Sequence, residues 1–315
     1  MRTPASLQDF SSIDAQAEQL TGFDQRYQQL ESGRYAGAFL AAEGPELGLF
    51  VEITNRRLFQ QGAGPPDHVS LVAFLGRGEP GVVNGMTFGK DDLLLVGPGG
   101  SYDAVVAPGT IPVVLSMRCA EVEALRERGR VRRVRAPGCQ ARWHCVITDV
   151  LMSWRPDLAS VDLPGPALRE LLLEAVGRGE GLQPRRPPAW TVFRRARHQL
   201  LQDLGRPMTV ESLATSIGAS RRTLEYACER YVGMGPGRFR KRLRLNQARR
   251  ALQTGKPTVA EAATSVGLSH LGRFSGEYRA LFGEFPSETR RGGGAASVCA
   301  KRIESRLHRA LRSSS

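Results

Sequence analysis

The sequence predicts two domains: an N-terminal mainly-β barrel with flanking helices, and a C-terminal all-α unit made of two helix-turn-helix hairpins joined by a long helix. Three observations point there: a 12-residue phrase that occurs twice, a change of texture along the chain, and a division of charge between its halves. Residues 209–220 read TVESLATSIGAS and residues 258–269 read TVAEAATSVGLS, identical at seven of twelve positions. A repeated phrase marks a repeated structural unit. Residues 1–184 hold 18 Lys/Arg against 22 Asp/Glu, net −4, and residues 185–315 hold 26 against 9, net +17; together they give the chain's +13. An acidic half joined to a strongly basic one is the charge footprint of a nucleic-acid-binding domain fused to something else. A basic but inert surface gives the same sum, and the repeat lowers that alternative.

Residues 9–30 are polar with sparse aromatics and read as short helices packing Phe23 and Tyr27 on the neighbouring segment. From residue 37 to 117 short runs take over: AFLAA, LGLFVEIT, RLFQ, HVSLVAFL, GVVNG, DLLLVGP, YDAVVAP and PVVLSM. Gly, Pro, Asn and Asp clusters separate them every 8–12 residues, the pattern of an antiparallel sandwich or small barrel. Residues 119–130 read as a helix and residues 143–151 as one more strand. The Leu-rich stretch 166–176 reads as a helix that either closes the barrel or pairs with a second copy. GRGEGLQPRRPP, residues 177–188, is a Gly/Pro/Arg linker. The expected divisions are 1–165 for the barrel, 166–188 for helix and linker, 189–291 for the basic domain and 292–315 for a flexible basic tail. Within that tail residues 301–311 have the pattern of a basic amphipathic helix.

The basic domain opens with a helix over 190–204, carrying Val192, Ala196, Leu200 and Leu204 on one face. In each repeat Thr209 or Thr258 caps a first helix, whose face is Val210, Leu213, Ala214 and Ile217 or Val259, Ala262, Ala263 and Val266. Gly218 and Gly267 end that helix, and Ser220 and Ser269 are placed to cap the second. The second helices carry stripes Leu224, Cys228, Val232 and Phe274, Tyr278, Phe282, each ending four residues before Pro236 or Pro286. Between the hairpins a helix from 236 to 253 packs Phe239, Leu243, Ala248 and Leu252 inward. Its remaining surface is crowded by Arg238, Arg240, Lys241, Arg242, Arg244, Arg249 and Arg250. Part of that run is expected to meet phosphates.

A search for catalysis finds little. Metal-dependent barrels use a His-x-His…Glu cluster plus a further His, whereas the front half has His68 and His144 outside such spacing, and Tyr102-Asp103 where the later His belongs. Cys139, His144 and Cys145 have ligand chemistry. They read better as a satisfied core His beside buried thiols. No Ser/His/Asp set, phosphate-cradling loop or paired carboxylates stand out, so no enzyme, metal or cofactor is expected, and a barrel with an apolar lumen suits a small-molecule receptor. Five cysteines without a CxxC pair imply a reducing compartment. MRTPASLQDF lacks an apolar signal core and the chain has no run of 18 apolar residues, so a cytoplasmic protein away from membranes is expected.

Two such hairpins bridged by one helix resemble the DNA-binding domain of the AraC/XylS family of bacterial transcription regulators. The likeness runs from about Trp190 to Arg291. It includes Pro236-x2-Phe239-x4-Arg244-Leu245-x2-Ala248-x2-Ala251-Leu252 and Gly267-Leu-Ser269-x4-Phe274-x3-Tyr278-x3-Phe282-Gly283-x2-Pro286. Gly272 and Gly276 depart from it, since the family more often carries polar or basic residues there. Residues 89–100 resemble the strand-and-turn segment of a cupin-like barrel. QRYQQLESGRYAG and SHLGRFSGEYRALFGEFPSET are similar to the ethanolamine-utilisation-regulator subgroup. The resemblance implies a regulator, most simply an activator, whose partners are double-stranded DNA, an unknown small-molecule effector, RNA polymerase and a second copy of the chain. An architectural nucleic-acid binder and a DNA-modifying enzyme with this reader domain are the alternatives.

The second helix of each hairpin should enter a major groove by its N-terminal turns. Off the apolar stripes this offers Arg221, Arg222, Glu225 and Tyr226 in the first unit, and His270 and Arg273 in the second, to base edges. Arg222 can bond guanine bidentately and Glu225 can accept from a cytosine amino group. Ser220, Arg238, Arg240, Lys241, Arg244, Ser269 and Arg290 are the candidates for the DNA backbone.

Overall fold

All eight apolar runs read between residues 37 and 117 form strands in the computed structural model, which describes residues 2–76, 78–89, 92–118, 131–134, 137–154, 158–178 and 188–292. They are β3 (Gly37–Glu43), β4 (Leu47–Thr54), β5 (Leu58–Ala63), β6 (His68–Leu75), β7 (Gly81–Val83), β9 (Leu93–Val96), β10 (Ser101–Val106) and β11 (Ile111–Arg118). Five further strands join them: β1 (Arg2–Phe10), β2 (Asp24–Gln29), β8 (Met86–Phe88), β12 (Val131–Val134) and β13 (Ser160–Asp162). The order is β12-β9-β6-β11-β4-β3-β1-β13 in the larger sheet and β2-β5-β10-β7-β8 in the smaller. Every pairing is antiparallel.

Two expectations are corrected. Residues 9–30 contain only one short helix, α1 (Ile13–Ala17), between β1 and β2, and Tyr27 lies on a strand. Both strands are polar because β2 is a sheet edge and β1 lies next to one, so the alternation that marks a half-buried strand is thin there. Residues 143–151 belong to a helix, α2 (Pro137–Met152), instead of a strand. Trp143, Ile147, Val150 and Leu151 are all buried, and their spacing of four, three and one is helical. The helix expected over 119–130 lies outside the described residues, as do most of the linker (179–187) and the tail from 293 onward.

The two sheets face each other across an apolar space, and each strand divides its side chains between that space and an outer layer. On the larger sheet, α2 and α3 (Gly165–Arg178) cover the outer face, with Leu168, Leu171 and Leu172 buried against Leu71, Val113 and Leu115. Leu173 remains exposed. Cys145, expected among buried thiols, is exposed on α2, and the side chain of Cys139 lies outside the described residues.

The smaller sheet's outer face carries the helical half of the chain. Helix α4 (Pro188–Gln202) lays Trp190 and Phe193 there, so that Phe59 of β5 meets Phe193 edge-on at 6.0 Å and Phe239 at 6.3 Å. Leu30, Phe59 and Val105 thereby share one core with the first hairpin. On either side of Val105, Ala104 and Val106 point to the inter-sheet space, while Asp103 pairs with Arg197 of α4 at 2.6 Å.

The bridging helix α7 (Pro236–Gln253) closes the arrangement along the free edge of β2. Asn246, 1% exposed, accepts from the Gln29 N–H at 2.8 Å and donates to the Gln29 carbonyl at 3.0 Å. Arg250 donates to the Tyr27 carbonyl and pairs with Asp14 at 2.7 Å. Side chains of a helix thus stand where a neighbouring strand would have paired. Replacing Asn246 with Ala leaves a buried donor and acceptor of Gln29 unpaired, and should lower unfolding free energy by about 2–4 kcal/mol, read as a drop in the denaturant midpoint. Replacing nearby exposed Gln247 with Ala should leave the midpoint within about 0.5 kcal/mol of the parent.

Candidate nucleic-acid interface

Each hairpin is assembled by the same local chemistry. In the first, α5 (Val210–Ser216) starts at Thr209, whose Oγ1 accepts from the Ser212 N–H at 3.0 Å while the Ser212 hydroxyl accepts from the Thr209 N–H. In the second, α8 (Val259–Ser265) starts at Thr258, and Glu261 returns the bond to the Thr258 N–H at 2.7 Å. Leu213, Ala214 and Ile217, and Ala262, Ala263 and Val266, bury the faces read from the repeat. Gly218 and Gly267 take φ of 68° and 73°, left-handed values that stop each first helix.

The second helices, α6 (Arg221–Val232) and α9 (Leu271–Phe282), then run out to glycines and the prolines that open α7 and α10 (Pro286–Arg290). Leu224, Cys228 and Val232, and Phe274, Tyr278 and Phe282, are buried as expected. Burial pushes the Cys228 thiol up to about 12, consistent with a small apolar filler. The caps differ. Ser220 accepts from the Thr223 N–H at 3.1 Å, but in the second unit the cap position is held by His270, with no side-chain bond. Ser269 therefore does not cap: the turn of the second unit is one residue longer, and α9 is offset from α6 by 50 residues where the first helices are offset by 49.

All the residues assigned to base edges lie on the outer face of α6 or at the start of α9. Arg221, Arg222, His270 and Arg273 are exposed, Tyr226 is 53% exposed, and Glu225 is half-buried. Arg221 is held by Glu225 at 2.8 Å and by Glu211, and Tyr226 accepts from Arg230 at 2.9 Å. Arg273 bonds Glu277 at 3.0 Å. The β-domain docks on α4, α7 and the C-terminal end of α9, where Gly33 N–H and Gln29 Nε2 both donate to the Leu281 carbonyl. The reading faces thus stay open with the two domains together.

The Arg run of α7 divides into three groups. Arg242, Arg249 and Arg250 turn inward: Arg242 donates to the Ser32 hydroxyl at 3.0 Å, Arg249 pairs with Glu284 at 3.1 Å beneath the β-domain, and Arg250 holds Asp14. Arg240 and Arg244, assigned to DNA phosphates, bind carbonyls of the loop between α4 and α5. Arg240 donates to Met208 at 3.0 Å and to Arg206, and Arg244 to Leu204 at 2.6 Å and Arg206 at 3.1 Å. That loop touches the second unit, for a side chain at Gly267 would run into the Gly205 carbonyl. Lys241 bonds Glu277 at 2.8 Å, while Arg238, Arg290, Ser220 and Ser269 are exposed. The inward Arg residues have no signal in the sequence that separates them from the outward ones, since Arg spacing on α7 covers nearly every direction.

Residues 213–292 match a family model described as a helix-turn-helix domain. Over 85 residues the chain is 39% identical to the probable thc operon regulatory protein of Rhodococcus erythropolis, covering 26% of each. It is 29% identical over 159 residues to the HTH-type transcriptional regulator ArgR of Pseudomonas aeruginosa, covering 48% of each. It is 32% identical over 100 residues to XylDLEGF operon transcriptional activator 2 of Pseudomonas putida, 31% of this chain and 64% of that one. The chain thus spans between about a quarter and two-thirds of the relatives it matches. Its C-terminal domain is a helix-turn-helix domain of the AraC/XylS kind, and the relatives are named as transcription regulators. Among the described residues no helix is long and apolar enough to cross a membrane.

Because Arg240 and Arg244 tie the two hairpins together, replacing both with Ala should cost about 1–3 kcal/mol of stability, measured by chemical unfolding. Arg238→Ala, at an exposed position, should leave that curve unchanged.

Proposed function

We propose that the chain is a sequence-specific transcription regulator, acting as an activator, that reads two successive major-groove segments and responds to a small molecule bound between its two sheets. The observation that carries the reading is the pair of exposed recognition helices on one continuous bridging helix. Its 18 residues span about 27 Å at 1.5 Å per residue, comparable with the ~34 Å of one turn of duplex between successive groove faces. Arg222 and Tyr226 would read bases, and Arg238, Lys241 and Arg290 would meet phosphates. The likeness to ethanolamine-utilisation-type regulators is part of this proposal and names no ligand.

The effector site is the space between the sheets, a cavity of about 60 Å³. Phe39, Phe50, Phe74 and Val114 supply apolar walls, and Glu52 is the charged group among its lining residues. Burial pushes the Glu52 carboxyl up, while donated bonds from Gln60 at 2.7 Å, Gln16 at 2.9 Å and Tyr27 oppose that shift. An anionic ligand would find a buried carboxyl group and no cation among these lining residues. The chemistry of this lining suits an apolar molecule that donates an N–H or O–H toward Glu52. Tyr27 lines this cavity by its ring while its carbonyl accepts from Arg250 of the bridging helix. One strand is therefore both cavity wall and seat of the DNA-binding domain, and a ligand would shift that seat as far as its affinity differs between two placements of β2. RNA polymerase and a second copy of the chain, meeting on the exposed Leu173 side of α3, complete the proposed partners.

Selection of random duplexes by the full chain should return two half-sites about one turn apart, with affinity falling steeply as salt rises. Arg222→Ala should relax one base pair of the first half-site by about 1–3 kcal/mol. Salt-sensitive binding with no recovered motif would instead mark an architectural protein.

A further inference from the structure

The one-residue offset between the hairpins changes what the second recognition helix presents. Arg221, Arg222, Glu225 and Tyr226 are positions one, two, five and six of α6. The same positions of α9 are Leu271, Gly272, Ser275 and Gly276. A face built of two Arg, a Glu and a Tyr in one unit is thus built of one Leu, one Ser and two Gly in the other. Leu271 is 43% exposed and does not join the second-unit core of Leu245, Phe274, Tyr278 and Phe282. Neither Gly272 nor Gly276 has any neighbouring atom within 4 Å of where a side chain would begin. That space is open, so neither glycine is demanded by packing inside the domain, and both carry helical backbone at a helix-propensity cost.

The cations around α9 stand beside this face. Arg273 and Lys241 converge on Glu277 at 3.0 and 2.8 Å, and Arg244 is tied to the Leu204 carbonyl. With His270 they line a cleft at the foot of the helix, and Arg273, Lys241 and His270 would flank a groove beside its phosphates. The exposed face at the start of α9 carries an isobutyl group followed by bare backbone.

The major groove holds one apolar group that a side chain can recognise, the C5 methyl of thymine. Resting on the regulator reading above, we infer that the second unit reads a thymine methyl through Leu271, with Gly272 and Gly276 letting the helix backbone approach the base edges more closely than α6 can. The two half-sites are then read by different chemistry. The first is read by hydrogen bonds, the second by methyl contact at a single position and by close fit elsewhere. His270 and Arg273 serve the backbone in this arrangement.

Uracil scanning tests this directly, because deoxyuridine differs from thymidine by that methyl alone. The full chain is bound to a duplex recovered by random selection, and each thymine of the second half-site is replaced in turn. One replacement should weaken binding about fourfold, the value of one buried methyl group. Leu271→Ala should weaken binding to the thymine duplex at least as much and lose all discrimination between the thymine and uracil duplexes. Leu271→Met, which keeps an apolar tip, should retain it. The exposed position should leave the circular dichroism of both variants unchanged. A recovered two-part site whose second half is indifferent to uracil overturns the inference and leaves the regulator reading standing. So does a uracil penalty that persists in Leu271→Ala. Failure to recover any motif overturns the regulator reading and this inference with it.

Discussion

An edge strand must find partners for its outward N–H and C=O groups, and the way β2 finds them shapes the rest of this molecule. Its free edge is satisfied by Asn246 and Arg250, side chains of the helix that bridges the two hairpins. Those bonds set the β-domain along α7 and the C-terminal end of α9, away from the N-terminal turns of both recognition helices. They also explain the inward course of Arg242, Arg249 and Arg250, whose charges meet Ser32, Glu284 and Asp14 instead of solvent. Buried charge is tolerable only when paired or well hydrogen-bonded, and these guanidinium groups reach both acidic and hydroxyl partners.

A second group of arginines fixes the hairpins to each other. Arg240 and Arg244 bind the Leu204, Arg206 and Met208 carbonyls of the loop 204–208, and that loop abuts Gly267 in the second turn. Planar guanidinium groups with several N–H donors suit this work, because one side chain can satisfy carbonyls that no helix or strand has used. Two reading heads joined only by a helix would swing as that helix bends; held at the loop as well, they keep one spacing. The proposed activity depends on that spacing, since two half-sites can be read together only if the heads stay one turn apart.

The fold was legible where periodicity is strong. Eight strands with apolar runs, the helix 236–253 and both hairpins come from alternation, caps and left-handed glycines. It was illegible where tertiary context replaces pattern. The strand QRYQQ is polar because it lies at an edge, and residues 143–151 bury a helical face where one more strand was expected. The candidate interface was legible by residue type and less so by direction. Ser269 was placed by analogy with Ser220, and a single added residue in the turn moved the cap to His270 and rotated Leu271 into the place of Arg221.

By itself the sequence determined the two kinds of domain, the repeat and the side chains that face outward at the start of the first recognition helix. These depend on contacts within a few residues, which local propensity and helical periodicity encode. Only the tertiary structure decided which arginines remain for DNA and what wall the cavity shares with the bridging helix. Those outcomes depend on pairs such as Gln29 with Asn246 and Asp14 with Arg250, more than 200 residues apart in the chain. An arginine's reach is the same toward a phosphate, a carboxylate or a stray carbonyl, so its partner is settled by what the fold brings near.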